Sequence, residues 1–480
     1  MTELCDLNAV EARRRIGTKE ISPVELLESC IARTEAVNPA VNSVVTTCYG
    51  RAREEAKLAE QQALAGEPLG LLHGLPFGAK DLEATGGVRT TMGSKLYEDN
   101  VPDADQGSIA EVRANGGILM GKTNTPEFGA GANTRNLVFG ATGNPFNPKL
   151  TCAGSSGGSA VSLATGMVPL ATGSDYGGSL RTPASFCGVT GFRPSPGVVP
   201  AERRSVGLNP FSVLGPMGRS VADVALLLSA MLGDDPRDPF GSGVDPDLME
   251  PLQPADLASL RVAISEDLGV APLDDGIRQT FRQRVDGIRH IFSVAQNRDP
   301  DFDDDLHRAF EVLRCVNYLS AHGEKLEKHR DKLTPNVVAN VDMADRFTMA
   351  DVAWAHKKQT AIYRGFIEMF DEVELLLSPA SAVSPFPHAQ WYPEEINGEK
   401  LPNYMRWMAP AYALTMATPA ACVVPFGLDH KGMPMGLQIS APNGSDRLVL
   451  AAAAAIESVL AGNPETARPV PDLEKLKAAS

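Results

Sequence analysis

Three short stretches of the chain carry residue types that can do chemistry. The first is His73-Gly74-Leu75-Pro76-Phe77-Gly78-Ala79-Lys80-Asp81, an apolar run closed by a lysine. Lysine is seldom fully buried without a partner. Desolvation lowers its pKa, and a neutral amine can serve as a general base. A lysine at a strand end can equally reach out to solvent. The second stretch is Gly154-Ser155-Ser156-Gly157-Gly158-Ser159. Its composition reads as a flexible linker, as a phosphate cradle at a helix N-terminus, or as part of a packed site. An apolar helix and strand follow at once, which weakens the linker reading. The phosphate reading lacks the lysine of a Gly-Lys-Ser/Thr loop. The third is Asp175-Tyr176-Gly177-Gly178-Ser179-Leu180-Arg181. A serine after two glycines sits either in a plain turn or on a loop whose backbone N–H groups converge on one spot. The second geometry stabilises negative charge that develops only in a transition state.

A serine nucleophile needs a base. Eight histidines are spread along the chain (His73, His290, His307, His322, His329, His356, His388 and His430), and none has a neighbourhood that marks it. The Gly-x-Ser-x-Gly elbow is not matched around Ser179, because Arg181 stands where its second glycine would be. That leaves serine with lysine as base, a recognised variant.

Taken together, in order and spacing, the three stretches resemble the amidase signature family. Ser155 and Ser179 are 24 positions apart, like the two serines of that family. The text around them matches nearly throughout, from Gly154-Ser155-Ser156 to Gly191-Phe192-Arg193-Pro194. Further matches are Gly121-Lys122-Thr123-Asn124, Gly215-Pro216-Met217 and Pro434-Met435-Gly436-Leu437-Gln438, whereas residues 240–400 carry little of the resemblance. The resemblance implies a Ser-Ser-Lys triad. Ser179 is then the nucleophile, Ser155 (following a cis peptide from Gly154) the proton relay, and Lys80 the final base. It also implies an oxyanion hole from the N–H groups of Tyr176, Gly177, Gly178 and Ser179. Ser156 supports Lys80, and Asp175 and Arg181 brace the nucleophile loop. Gly129-Ala130-Gly131-Ala132 falls where the family lines its acyl pocket, so Gly129, Gly131 and Ala132 are expected to leave that wall roomy. Ala153, Phe77 and Gly78 depart from the family's usual residues without removing a catalytic group.

The implied fold is α/β, a mixed β-sheet core with helices on both faces. It is read as one domain over 1–480, with a catalytic core over about 70–235 and a variable, mostly helical substrate-side region over about 240–400. The implied activity is hydrolysis of a small or aryl amide, with esters and carbamates within the same acyl-enzyme chemistry. The alternative is the glutaminase subunit of a tRNA-dependent amidotransferase. Trp354, Trp391, Tyr392, Tyr404 and Trp407 lie in or just beyond the variable region, and read equally as pocket lining and as core.

The elements that must position these residues are partly visible. Residues 9–37 read as two helices, the second opened by Ser22-Pro23. Helices are expected over 51–64, 107–116, 159–165 and 220–232, with Ser220 as cap, and one after Ser445. Strands are expected over 75–79, 118–121, 168–171, 375–377 and 421–424, and residues 274–370 read as charged and helical. Ten of the 44 glycines fall within residues 151–200, which favours one glycine-built feature there.

Composition narrows the partners. Lys and Arg number 44 against 59 Asp and Glu, a net charge of −15. Nucleic acid and acidic membrane both call for a basic footprint, so neither is expected. The seven cysteines are scattered without a CxxC pair, which reads as reduced thiols in a cytoplasm. No secretion signal is visible at the N-terminus, and the apolar run Leu448 to Ile456 is too short to span a bilayer. Dispersed histidines and cysteines imply no metal, and no organic cofactor is expected. The protein is expected to be a monomer or homodimer acting on a small-molecule amide.

Overall fold

The computed structural model describes residues 3–241 and 243–479. Eleven described strands form one mixed sheet: β1 (Val44–Thr47), β2 (Pro76–Lys80), β3 (Ile118–Thr123), β4 (Leu170–Asp175), β5 (Thr190–Arg193), β6 (Val213–Gly218), β7 (Arg261–Ile264), β8 (Val294–Asn297), β9 (Leu375–Pro379), β10 (Ala420–Leu428) and β11 (Pro434–Ala441). Their spatial order is β1-β3-β2-β4-β6-β5-β10-β11-β9-β7-β8. Strand β2 runs parallel to both β3 and β4, while β4–β6, β6–β5, β5–β10, β10–β11 and β11–β9 are antiparallel.

The helices among the described residues are α1 (Ala9–Gly17), α2 (Pro23–Val41), α3 (Tyr49–Ala65), α4 (Gly107–Ala114), α5 (Gly157–Ala164), α6 (Arg181–Cys187), α7 (Val221–Met231), α8 (Asp275–Ile288), α9 (Asp305–His329), α10 (Pro335–Asp342), α11 (Met349–Met369), α12 (Ala409–Met416), α13 (Asp446–Ala461) and α14 (Leu473–Ala478). Every residue of β2, β3 and β11 is buried, with no alternation of buried and exposed positions. A strand reads this way only when both faces of its sheet are covered. No described helix is long and apolar enough to cross a membrane.

Local sequence accounts for several boundaries. The Ser22 hydroxyl accepts from the Glu25 N–H while the Glu25 carboxylate accepts from the Ser22 N–H, a closed capping box at the start of α2. Ser220 caps α7 through the Asp223 N–H. Ser445 stands at the corresponding position of α13, but its side chain caps nothing. Strand β4 lies further on than residues 168–171 and ends at Asp175. The stretch after it also holds α6 and β5, neither foreseen in a segment dense in Gly, Pro and Ser. The region over 240–400 is mostly helical, yet it also supplies β7, β8 and β9 to the sheet.

The strand pairing places the site. Phe77 pairs with Leu170 and Gly78 with Ala171, so β2 and β4 lie side by side and point the same way. Their carboxyl ends, Lys80 and Ser174-Asp175, therefore emerge together. In open α/β sheets the crevice outside such ends is where ligands bind.

Candidate active site

Lys80 closes β2 with its side chain fully buried. Its Nζ lies 2.7 Å from Ser155 Oγ, 2.9 Å from Ser156 Oγ and 2.9 Å from Ser174 Oγ. Burial pushes its pKa down to about 7, against the upward pull of the Glu83 and Asp175 carboxylates. Asp81, next in sequence, turns away. Its carboxylate accepts from the Thr91 N–H at 3.2 Å and from the Thr91 hydroxyl.

Ser155 follows a cis peptide from Gly154, as the resemblance implies. Ser156 immediately precedes α5, and its N–H donates to the Ser179 carbonyl at 3.2 Å. The serine-rich stretch is thus tied to both the lysine and the loop that carries Ser179, and neither linker nor phosphate cradle describes it.

The loop after β4 is built around Asp175. Its carboxylate accepts from the Gly178 N–H at 2.8 Å and the Leu180 N–H at 3.1 Å. Arg181 Nε lies 3.0 Å from it, and Arg193 Nη1 3.2 Å, all three side chains being buried. The two guanidiniums, together with the backbone N–H donors, overcome the desolvation of Asp175 and hold it well below the usual carboxylate range. Arg181 also reaches the Ala411 carbonyl and Thr415 hydroxyl of α12 and the Gln438 amide oxygen of β11. Gly178 has φ +119°, and a Cβ there would lie 2.4 Å from that of Ala411. The N–H groups of Tyr176, Gly177 and Ser179 have no acceptor among the described residues. Gly178, expected in the same donor set, has its N–H already committed to Asp175.

A cavity of about 130 Å³ opens onto Ser155, Ser174, Tyr176, Gly177 and Ser179. Gly129 and Gly131 line it as well, but Ala132 does not. Ala132 instead sets its backbone against Gly154. A Cβ on Gly131 would meet Asn336 Nδ2 at 2.4 Å, and one on Gly129 would lie 3.2 Å from Leu82 Cδ1 and 3.3 Å from Ser155 Oγ. Each glycine thus admits close neighbours at the cavity wall. Trp354, Trp391, Tyr392, Tyr404 and Trp407 do not line the cavity. Trp407 is buried against Phe186 and Phe386, while Trp354 and Trp391 sit under Arg308 and Arg135.

Other groups at the site were not singled out from sequence. Ser174 is one; it stands beside Asp175 inside the matched motif. Phe310, Arg314, Tyr318 and His322 all line the cavity from α9. Their spacing of four residues keeps them near one helix face, which was the available signal. Beneath Lys80 lie two further buried titratable groups, Glu83 and Lys122. The Glu83 carboxylate accepts from the Lys80 backbone N–H at 3.2 Å and from the Thr172 hydroxyl, and burial raises its pKa. Lys122, in the matched Gly121-Lys122-Thr123-Asn124, donates to the Glu83 carbonyl and to Thr85 Oγ1, and burial pushes it down to about 8. His73 anchors a helix instead, its Nε2 lying 2.9 Å from the Ala59 carbonyl.

Known proteins match this chain over nearly its whole length. The family model described as Amidase matches residues 25–450. An acylamidase of Rhodococcus erythropolis is 32% identical over 454 residues, covering 94% of this chain and 95% of its own. A glutamyl-tRNA(Gln) amidotransferase component of Chloroflexus aurantiacus is 31% identical over 463 residues, covering 92% of this chain and 93% of its own. The crystal structure of a bacterial aryl acylamidase belonging to the amidase signature enzymes matches with a TM-score of 0.87 over 98% of both chains, at 26% identity. Family model, relatives and fold thus converge, and the chain belongs to the amidase signature family as an amide hydrolase.

Proposed function

We propose that the protein cleaves the C–N bond of a small or aryl amide through an acyl-serine intermediate, using Ser179, Ser155 and Lys80. The observation that carries this reading is the surroundings of Lys80 Nζ: fully buried, with three serine hydroxyls as side-chain partners and no carboxylate bonded to it. A neutral amine has two N–H groups and one lone pair. It can donate to Ser156 and Ser174 and accept from Ser155. Proton transfer then runs from Ser179 through Ser155 to Lys80 as Ser179 Oγ bonds to the carbonyl carbon. The oxyanion is taken up by the N–H groups of Tyr176, Gly177 and Ser179, whereas Gly178 shapes the loop. When the C–N bond breaks, the proton returns through Ser155 to the leaving amine. Water then attacks the acyl-serine, gives a proton along the same path, and releases the acid.

Esters and carbamates fit the same sequence of steps. The acylamidase relative and the aryl acylamidase structure support an acyl amide, aryl amides included. The amidotransferase relatives keep the glutaminase reading in play. The division into a catalytic core over about 70–235 and a substrate-side region over about 240–400, a monomeric or homodimeric state, and a cytoplasmic location are part of this proposal; the seven cysteines, all free, suit a reducing compartment. The test is turnover of acetanilide by the purified single chain. Activity that appears only with partner proteins and tRNA would replace this reading with the glutaminase one.

A further inference from the structure

We propose that Arg314 binds a carboxylate carried by the substrate, so that the amides this protein hydrolyses bear an acid group. This rests on the amidase reading above and names its substrate class.

Arg314 projects from α9 with 5% of its surface exposed and lines the cavity that holds Ser179. Its Nε donates to Asn340 Oδ1 at 2.8 Å, and its Nη2 to the phenol oxygens of Tyr318 at 3.0 Å and Tyr404 at 2.9 Å. Its guanidinium carbon lies 4.5 Å from the Tyr318 ring centre and 5.4 Å from that of Tyr176. Every one of these partners is neutral. Nη1 makes no hydrogen bond to a described residue, and no described carboxylate forms an ion pair with this guanidinium.

Four other arginines with buried side chains carry a carboxylate partner, whereas Arg219 donates to the Leu7 and Val168 carbonyls. Arg33 pairs with Glu3 and Asp6, Arg181 and Arg193 with Asp175, and Arg204 with Asp238. Burying a cation without a counter-charge is costly, and proteins rarely leave one so. Here the missing negative charge is missing at the wall of the catalytic cavity. An anionic group on the ligand would supply it, and the planar guanidinium matches a carboxylate best. Phenols and an amide fix the guanidinium in place without neutralising it, which is what a preformed anion receptor needs.

The acid is placed in turn on each side of the scissile bond, with two substrate pairs. In succinic acid mono-4-nitroanilide the carboxylate is on the acyl side; in 4-acetamidobenzoate it is on the amine side. Each is compared with its methyl ester by kcat/KM. The acid is expected to exceed its ester by roughly tenfold to a hundredfold in one pair, the range for a hydrogen bond to a charged group. Arg314→Gln should collapse that ratio towards unity, and Arg314→Lys should restore part of it. Acid and ester hydrolysed alike by the wild type, or a ratio unchanged in Arg314→Gln, would overturn the proposal; the latter would leave Arg314 as a prop for Tyr176. Calorimetric binding of succinate and benzoate to Ser179→Ala separates the two readings. Binding lost in the Ser179→Ala, Arg314→Gln double variant supports the subsite even if no amide is turned over, an outcome that would sink the amidase reading alone. Turnover of acetanilide without binding of either acid sinks the subsite alone.

Discussion

On the proposed mechanism, Lys80 decides the pH behaviour of the site. Burial pushes it down to about 7, and only its neutral form can take a proton from Ser155. For the free enzyme, kcat/KM should therefore rise with pH through about 7 as Lys80 loses its proton, and activity should favour neutral to alkaline solution. Lys80→Ala should remove that limb together with most of the rate. His322 shares the cavity, but burial pushes it down to about 3, so it stays neutral through this range and cannot generate the limb. A profile with its maximum at about pH 5, or an acidic limb retained in Lys80→Ala, would return the base role to a histidine. Ser179→Ala should lower kcat by several orders of magnitude with circular dichroism unchanged, since triad members act as a unit. A variant retaining more than about a tenth of kcat would contradict the nucleophile assignment.

At the scale of elements, the loop between β4 and α6 depends on one carboxylate. Asp175 pairs with Arg181 and Arg193 and accepts two backbone N–H groups. Asp175→Asn keeps the shape but leaves two buried guanidiniums without their counter-charge, and should cost roughly 3–5 kcal/mol in denaturant unfolding. A loss below about 1 kcal/mol would mean the cluster is held by its other contacts. Gly178→Ala meets both a positive φ and the Ala411 methyl, and should cost more activity than stability because it displaces the N–H groups beside it. This loop was the most legible part of the chain in sequence, since Asp175, the paired glycines, Ser179 and Arg181 are contiguous. Helix starts at Ser22 and Ser220 were legible for the same local reason. Strands β1 and β5 were not, because four-residue strands carry too little pattern, and α6 was masked by Pro183 and the surrounding glycines. The spacing of Arg314 and His322 places them near one face of α9, but what that face meets depends on where α9 docks, which no local signal states.

In the proposed mechanism the reacting groups, donors and bracing charges all come from one chain, and no metal is used. Exhaustive dialysis against a chelator should leave turnover of an aryl amide unchanged; a loss restored by one added metal ion would count against the lysine-base chemistry. Strand order was not legible in sequence, because neighbours such as β5 and β10 lie more than two hundred residues apart. That order has a consequence for biosynthesis. Strands β1 to β6 form one flank, β7 to β9 the other, and the hairpin of β10 and β11 is the only described bridge between them. A ribosome therefore delivers both flanks before the piece that joins them. Until residue 441 has emerged, β5 and β9 are open edges, each a template for unwanted pairing. Gln438, which receives the Arg181 guanidinium behind the Ser179 loop, also arrives in that last hairpin. A nascent chain stalled after Ala417 should consequently be inactive and dependent on chaperones, with catalysis switching on only as the closing strands are translated.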